Sequence, residues 1–125
     1  MISKKLFSKI IGIDEKFIEY ITIEGNKIIC KIYCTPNELH KTEFNKHLQN
    51  DYYNTKQNFY KELNVFEFVF EIKKWAYDYQ GYILNSSFCN KNKSICYISL
   101  LNKEFFGNTE IEAIIEAGNY IVNQL

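Results

Sequence analysis

The side chains with the widest chemical reach are Cys30, Cys34, His40 and His47, crowded into one stretch of the chain. Zinc fingers use two close cysteines, a gap of about 12 residues, and two histidines roughly three to five apart. Here five residues separate Cys34 from His40, and the histidines are seven apart. Seven residues of helix span about 10.5 Å, too far for one ion with bonds near ~2 Å, so no metal site is expected. Cys34 precedes a helix start, where a thiolate is favoured. His40 lies more than a turn further on, so Cys34 reads as a thiol that ends a strand. Cys30 and Cys96 sit inside strand-like runs and read as reduced core thiols. With Cys89 they are too sparse for a disulfide framework. Ser86 and Ser87 lack the G-x-S-x-G context of a serine nucleophile. Glu110, Glu112 and Glu116 crowd one helix, where the first two complement its dipole. Neither G-x-G-x-x-G nor a Walker A motif occurs. The expectation is a binding protein without catalytic residues or cofactor.

Two features point to binding. Asn90-Lys91-Asn92-Lys93 forms a polar turn flanked by Phe88 and Tyr97. Two ammonium groups beside aromatic rings have the means to hold a phosphate and stack a base; an ordinary hairpin turn has the same composition. The second feature is a surplus of aromatics, with 10 Tyr, 10 Phe and 1 Trp. Tyr52, Tyr53, Tyr77, Tyr79, Tyr82, Phe105 and Phe106 cannot all fit inside a core this small. Tyrosine is enriched where proteins meet. The candidate binding residues are Tyr52, Tyr53, Tyr82, Phe88, Asn90, Lys91, Asn92, Lys93, Tyr97, Phe105 and Phe106. They would serve a heterologous protein partner, a homodimer contact, or a nucleotide ligand.

The elements that must position these residues can be read from periodicity. Ser3 to Ile11 has helical spacing, and Gly12 ends it. Glu15 to Tyr33 alternates as a β-hairpin around Gly25-Asn26, with Ile28, Cys30 and Ile32 on one face. Thr35-Pro36-Asn37-Glu38 is a capping box opening a helix expected to reach His47 or Leu48. Gln49 to Gln57 reads as a mobile loop. Phe59 to Tyr79 reads as one long central helix. Val65 to Ile72 alone fits a buried strand as well, but Lys73-Lys74-Trp75-Ala76 continues the helical pattern. Tyr82 to Cys89 and Ser94 to Leu101 form a second hairpin, and Thr109-Glu110-Ile111-Glu112 caps a last helix. That helix should bury Ile111, Ile114, Ile115, Gly118, Ile121 or Val122, and Leu125. Asn26–Tyr33 (NKIICKIY) and Asn92–Ser99 (NKSICYIS) match at five of eight positions, a likeness that chance can produce in a composition this rich in Asn, Lys and Ile. The expected fold is a single α+β domain, residues 1–125: an antiparallel sheet of about four strands from two hairpins, packed by the central and C-terminal helices.

Composition narrows the function further. Fifteen lysines balance 15 acids, and there is no arginine. Neutrality argues against direct DNA binding, which needs a basic excess, and against an acidic DNA mimic. Without guanidinium groups, bidentate clamping of phosphate is unavailable. The surplus of Ile, Lys, Asn, Tyr and Phe is what AT-rich codons encode. That bias is a competing source of the aromatics. No signal-peptide h-region or membrane-spanning run is present, so a cytoplasmic protein without membrane contact is expected.

From Val65 to Leu125 the order is helix, strand, strand, helix. The first helix ends in Trp75-Ala76-Tyr77, and the last opens the segment TEIEAIIEAGNYI. This half resembles the small phage proteins grouped as phage ABA-sandwich domains, whose closing Thr-Glu-x-Glu-Ala helix start is matched by Thr109, Glu110, Glu112 and Ala113. The N-terminal hairpin and helix have no counterpart in that family. The resemblance implies a phage or mobile-element origin in an AT-rich bacterium and carries no catalytic residues. Proteins of that class and size commonly act as counter-defence or anti-CRISPR inhibitors in the host cell, binding a host defence protein such as a CRISPR effector. The alternative is a sponge for a nucleotide defence signal.

Overall fold

The computed structural model describes residues 1–40 and 51–125. Helix α1 (Lys4–Ile11) starts at Ser3, whose hydroxyl accepts from the Leu6 N–H at 3.0 Å, and stops at Gly12, which takes φ +84°. A 3-10 turn (Glu15–Phe17) leads into β1 (Ile18–Glu24). A two-residue turn with Gly25 at φ +60° returns the chain as β2 (Lys27–Cys34). Thr35 and Glu38 close the anticipated capping box: the Glu38 N–H donates to Thr35 Oγ1 at 3.1 Å, and the Thr35 N–H to Glu38 Oε1 at 2.9 Å. They open α2 (Pro36–His40). The rest of the expected helix, to His47 or Leu48, lies outside the described residues. The part of the expected loop that is described forms a helical turn, α3 (Asp51–Asn54), followed by an extended chain.

The long central helix must be corrected. Its first third is a strand, β3 (Gln57–Asn64), paired antiparallel with the whole of β2. Only then does α4 (Val65–Gln80) begin. Asn64 makes the break, because its Oδ1 accepts from the N–H groups of Phe66 and Glu67 at 2.8 and 3.1 Å. The Val65 N–H is held by the Asn26 carbonyl in the first hairpin turn, at 2.9 Å. These bonds satisfy three N–H groups that a helix start leaves without partners. Val65–Ile72, the segment that also fitted a strand, is helical.

After Gly81 come β4 (Leu84–Asn90), β5 (Lys93–Ile98), a 3-10 turn (Ser99–Leu101) and β6 (Lys103–Gly107). Helix α5 (Glu110–Asn123) follows, with Thr109 accepting from the Glu112 N–H at 3.2 Å. Glu112 reaches back past the cap to the Asn108 N–H at 2.7 Å, one residue further than a standard box.

The molecule is therefore α+β, but the single sheet of about four strands is replaced by two antiparallel sheets of three, ordered β1-β2-β3 and β4-β5-β6. The two missed strands, β3 and β6, each add to a hairpin and each lead directly into a capped helix. The chain thus repeats a strand–strand–strand–helix unit. The matching octapeptides fall on β2 and β5, the middle strand of each sheet.

One core joins the two units. Ile28, Cys30, Ile32 and Cys34 line the inner face of the first sheet, and Leu84, Cys96 and Ile98 that of the second. Leu6 and Phe7 of α1, Phe68 and Ile72 of α4, and Ala113 to Val122 of α5 fill the space against them. Phe7 and Phe68 stack with ring centres 5.7 Å apart. Asn119 ties α5 to the chain before α1, accepting from the Ser3 N–H at 3.2 Å and donating to the Met1 carbonyl at 2.7 Å. Leu125, expected inside, is exposed. Among the described residues, no helix is long and apolar enough to cross a membrane.

Candidate functional site

Strand alternation decides which side of the second sheet is free. Ser94, Cys96 and Ile98 point inward, so Lys93, Ile95 and Tyr97 point outward. Register places Ser87 and Phe106 on either side of Ile95, and Asn85 and Glu104 on either side of Tyr97. The Lys93 ammonium lies 4.4 Å from the centre of the Phe106 ring, a cation–π distance. Tyr97 donates its phenol to Asn102 Oδ1 at 3.0 Å, which fixes the ring on the open face. Asn90 turns the hairpin by accepting from the Asn92 N–H at 3.0 Å, leaving Lys91 exposed beside it. Phe88, in register with Ser94, is 74% exposed at the same tip.

Six of the eleven candidate residues thus share the open face and the turn: Asn90, Lys91, Asn92, Lys93, Tyr97 and Phe106. Five do not. Phe88, in register with the inward-pointing Ser94, lies on the other side of the sheet although it is exposed at the tip. Phe105 points to the opposite face and packs on Tyr120 of α5, with ring centres 5.3 Å apart. Adjacent strand residues face opposite ways, so Phe105 and Phe106 cannot serve one surface. Tyr82 is half-buried against the core. Tyr52 and Tyr53 sit on α3, which leads into the first sheet, and their rings meet edge to face at 5.1 Å.

The sequence reading missed the open face of the first sheet. Tyr20, Lys31 and Tyr60 lie in one row across β1, β2 and β3, with Tyr33 two residues along. The irregular register at Glu19 brings its carboxylate to Lys31 at 3.0 Å. That hydrogen bond raises the Lys31 pKa above its ordinary value. Lys27 pairs with Glu62 at 2.8 Å on the same face. Here Lys27 and Lys31 each have an acid beside them, while Lys56 lies 5.7 Å from the centre of the Tyr33 ring. The signal for this face is Tyr60, which alternates with Phe59 and Lys61 in a segment whose apolar spacing also fits a helix.

Cys30, Cys34 and Cys96 are buried, and Glu38 closes a helix cap. Burial pushes Cys30 and Cys96 up to about 11. It also raises Cys34, helped by the Glu38 carboxylate. All three stay protonated near neutral pH, which removes the thiolate a nucleophile needs. Four residues of strand place Cys30 and Cys34 about 13 Å apart. Among the described residues, no three His, Cys, Asp or Glu side chains group to hold a metal ion; His47 lies outside them. A concavity of about 790 Å³ is lined by Lys5, Lys9, Lys16, Asp14, Glu15 and Glu38 among others. The Glu38 carboxyl is held below its usual range, but the cause is first the Thr35 N–H of its capping box. No family model, curated protein or solved structure matches the chain.

Proposed function

We propose that the chain acts by stoichiometric binding of a protein partner through the open face and tip of the β4–β5–β6 sheet. The observation that carries this reading is the outward-facing set Lys93, Tyr97 and Phe106, with Lys93 held over the Phe106 ring. Aromatic side chains anchor interfaces because they offer large area with few rotatable bonds. A neutral chain without arginine favours anchoring by shape over electrostatic capture of nucleic acid. Together with the phage-like C-terminal half, this supports a counter-defence protein of a phage or mobile element. It would work in the cytoplasm of an AT-rich bacterium, inhibiting a host defence protein such as a CRISPR effector without catalysing a reaction.

A second reading is supported by the same tip. Two lysines, two asparagines and the exposed Phe106 ring suit the phosphate and base of a nucleotide, so the chain would sequester a nucleotide defence signal. Native mass spectrometry of the tagged protein recovered from host lysate separates the two. The inhibitor reading predicts a stoichiometric host protein that Phe106→Ser releases. A homo-oligomer carrying a small extra mass and no host protein overturns it and favours the sponge. Thermal shift with cyclic and ADP-ribose-type nucleotides then tests that alternative directly.

A further inference from the structure

The four outer strands of the two sheets differ in how they meet solvent. β1, β3 and β6 all carry charged side chains: Glu19 and Glu24, Lys61 and Glu62, Lys103 and Glu104. Charges on an outer strand discourage pairing with another chain. β4 carries no charge and no proline in its seven residues. Among the described residues, no strand pairs with its outer side, and no turn or loop backbone bonds to it there. That open row of N–H and C=O groups fits an extended chain. The same strand holds an exposed ring and a seat for one. Phe88 is in register with the buried Ser94, on the side of the sheet that the helices cover, yet it is 74% exposed. Two residues earlier Ser86 points the same way, and Lys73 of α4 reaches over to donate to its hydroxyl at 3.5 Å.

We infer that β4 pairs antiparallel with β4 of a second copy, joining two three-stranded sheets into one of six. A twofold axis at Ser87 sets each Ser86 opposite the Phe88 of the other copy. Side chains opposed in this way lie about 5 Å apart, here a small residue against a large one. Each Phe88 ring then lies beneath the Lys73 stem of the opposing copy, as Phe106 lies beneath Lys93 within one chain. Ring and seat stand equal distances either side of Ser87, so one twofold fills both seats at once. An unrelated strand would have to bring a ring and a small residue of its own in the same spacing. Ser87 meets its own copy at the centre, where two hydroxyls suit a shared hydrogen bond. No charge of the strand opposes its own copy, because the strand has none. The bulge between Phe88 and Asn90 ends the regular stretch, so the contact is small and the dimer reversible and concentration-dependent. The outward face of Lys93, Tyr97 and Phe106 stays open in both copies, which separates this contact from the surface proposed above.

Sedimentation equilibrium of the full chain across the micromolar range tests it, with thermal melts confirming that each variant folds. The wild-type chain should dimerise reversibly. Ser87→Lys and Ser87→Glu should each raise the dissociation constant at least about tenfold, since each sets like charges together at the axis. An equimolar mixture of those two variants should dimerise again, because the opposed charges are then opposite. Phe88→Ser should weaken the dimer roughly tenfold, its ring being lost from two seats. Thr22→Lys, the same change on the outer strand β1, should leave the dimer intact. A monomer at every concentration overturns the proposal. So does a dimer indifferent to Ser87→Lys, a mixture no stronger than either variant alone, or a dimer that Thr22→Lys breaks.

Discussion

The two strand–strand–strand–helix units carry matching segments on their middle strands, but the helices that cover them pack differently. Ile28, Cys30 and Ile32 on β2 correspond to Ser94, Cys96 and Ile98 on β5. Cys30 and Cys96 behave alike, both fully buried and both pushed up to about 11. The first position differs, and the neighbouring helix explains it. The inner face of the first sheet shares its core with the bulky Leu6, Phe7 and Phe68. The second sheet meets α5 through Ala113, Ala117 and Gly107. A methyl group at Gly107 would lie 2.5 Å from Glu112 Cβ and 2.7 Å from the Ala113 nitrogen. On its far side α5 approaches α4 and α1 equally closely, since a methyl at Gly118 would sit 3.0 Å from Ile72 and 3.1 Å from Leu6. Small residues bring α5 down onto the sheet and leave room for a serine where the other unit holds an isoleucine. The Ser94 hydroxyl has no hydrogen-bond partner among the described residues. A repeated topology therefore does not imply a repeated core, because helix height above the sheet is set by side-chain size.

Exchanging the distinguishing residues breaks this comparison most sharply. Ile28→Ser should cost about 3–5 kcal/mol, combining a cavity with an unsatisfied hydroxyl, measured as a fall in urea midpoint at unchanged slope. Gly107→Ala should cost about 2 kcal/mol, because the added methyl meets backbone that cannot yield without lifting α5; a neutral result would show that the helix is free to rise. Ser94→Ala should stabilise by about 1 kcal/mol, since it removes a buried hydroxyl that bonds to nothing. A loss instead would reveal a partner for that hydroxyl.

The matched thiols sharpen the comparison through pH. Both have folded pKa values near 11 against an ordinary 9.0. The folded state holds these protons more tightly than the unfolded chain does. Their contribution to stability is complete below pH 9 and lost as pH rises from 9 towards 11. Denaturation midpoints at pH 8 and 10 should show that decline, and Cys30→Ala/Cys96→Ala should flatten it. In the native protein Cys89, which is exposed, should react with a thiol reagent while Cys30, Cys34 and Cys96 wait for unfolding. Equal reactivity of Cys30 and Cys89 would contradict the core described here. Phe106→Ser should move stability least, because its ring is 45% exposed. Its effect should appear in partner binding.

Local signals were legible where neighbouring residues make them. Ser3 and Gly12 bound α1, Gly25-Asn26 turns the first hairpin, and Thr35 and Thr109 cap their helices through contacts three residues away. β3 was hidden because its evidence is distant: Gln57 to Asn64 becomes a strand by pairing with Lys27 to Cys34. The stop signal was present in Asn64-Val65-Phe66-Glu67, a cap followed three residues later by an acid, but the apolar residues that dominate on both sides masked it. β6 was hidden for the same reason, its five residues carrying two adjacent phenylalanines that face opposite ways. Of the candidate site, the tip was legible as a turn. The separation of Phe106 from Phe105 was not, because strand parity is known only once the strand is.

By itself the sequence determined both ends of α1, the capped starts of α2 and α5, both hairpins, the burial of Cys30 and Cys96, and the neutral formal charge. These depend on contacts within a few residues or on simple counts. Only the tertiary structure decided that there are two sheets, that Phe66 and Phe70 face out while Phe68 faces in, and that Lys93 stands over Phe106. Each of those depends on which distant segment supplies the neighbour, and apolar periodicity cannot tell a face that meets the core from one left open to solvent.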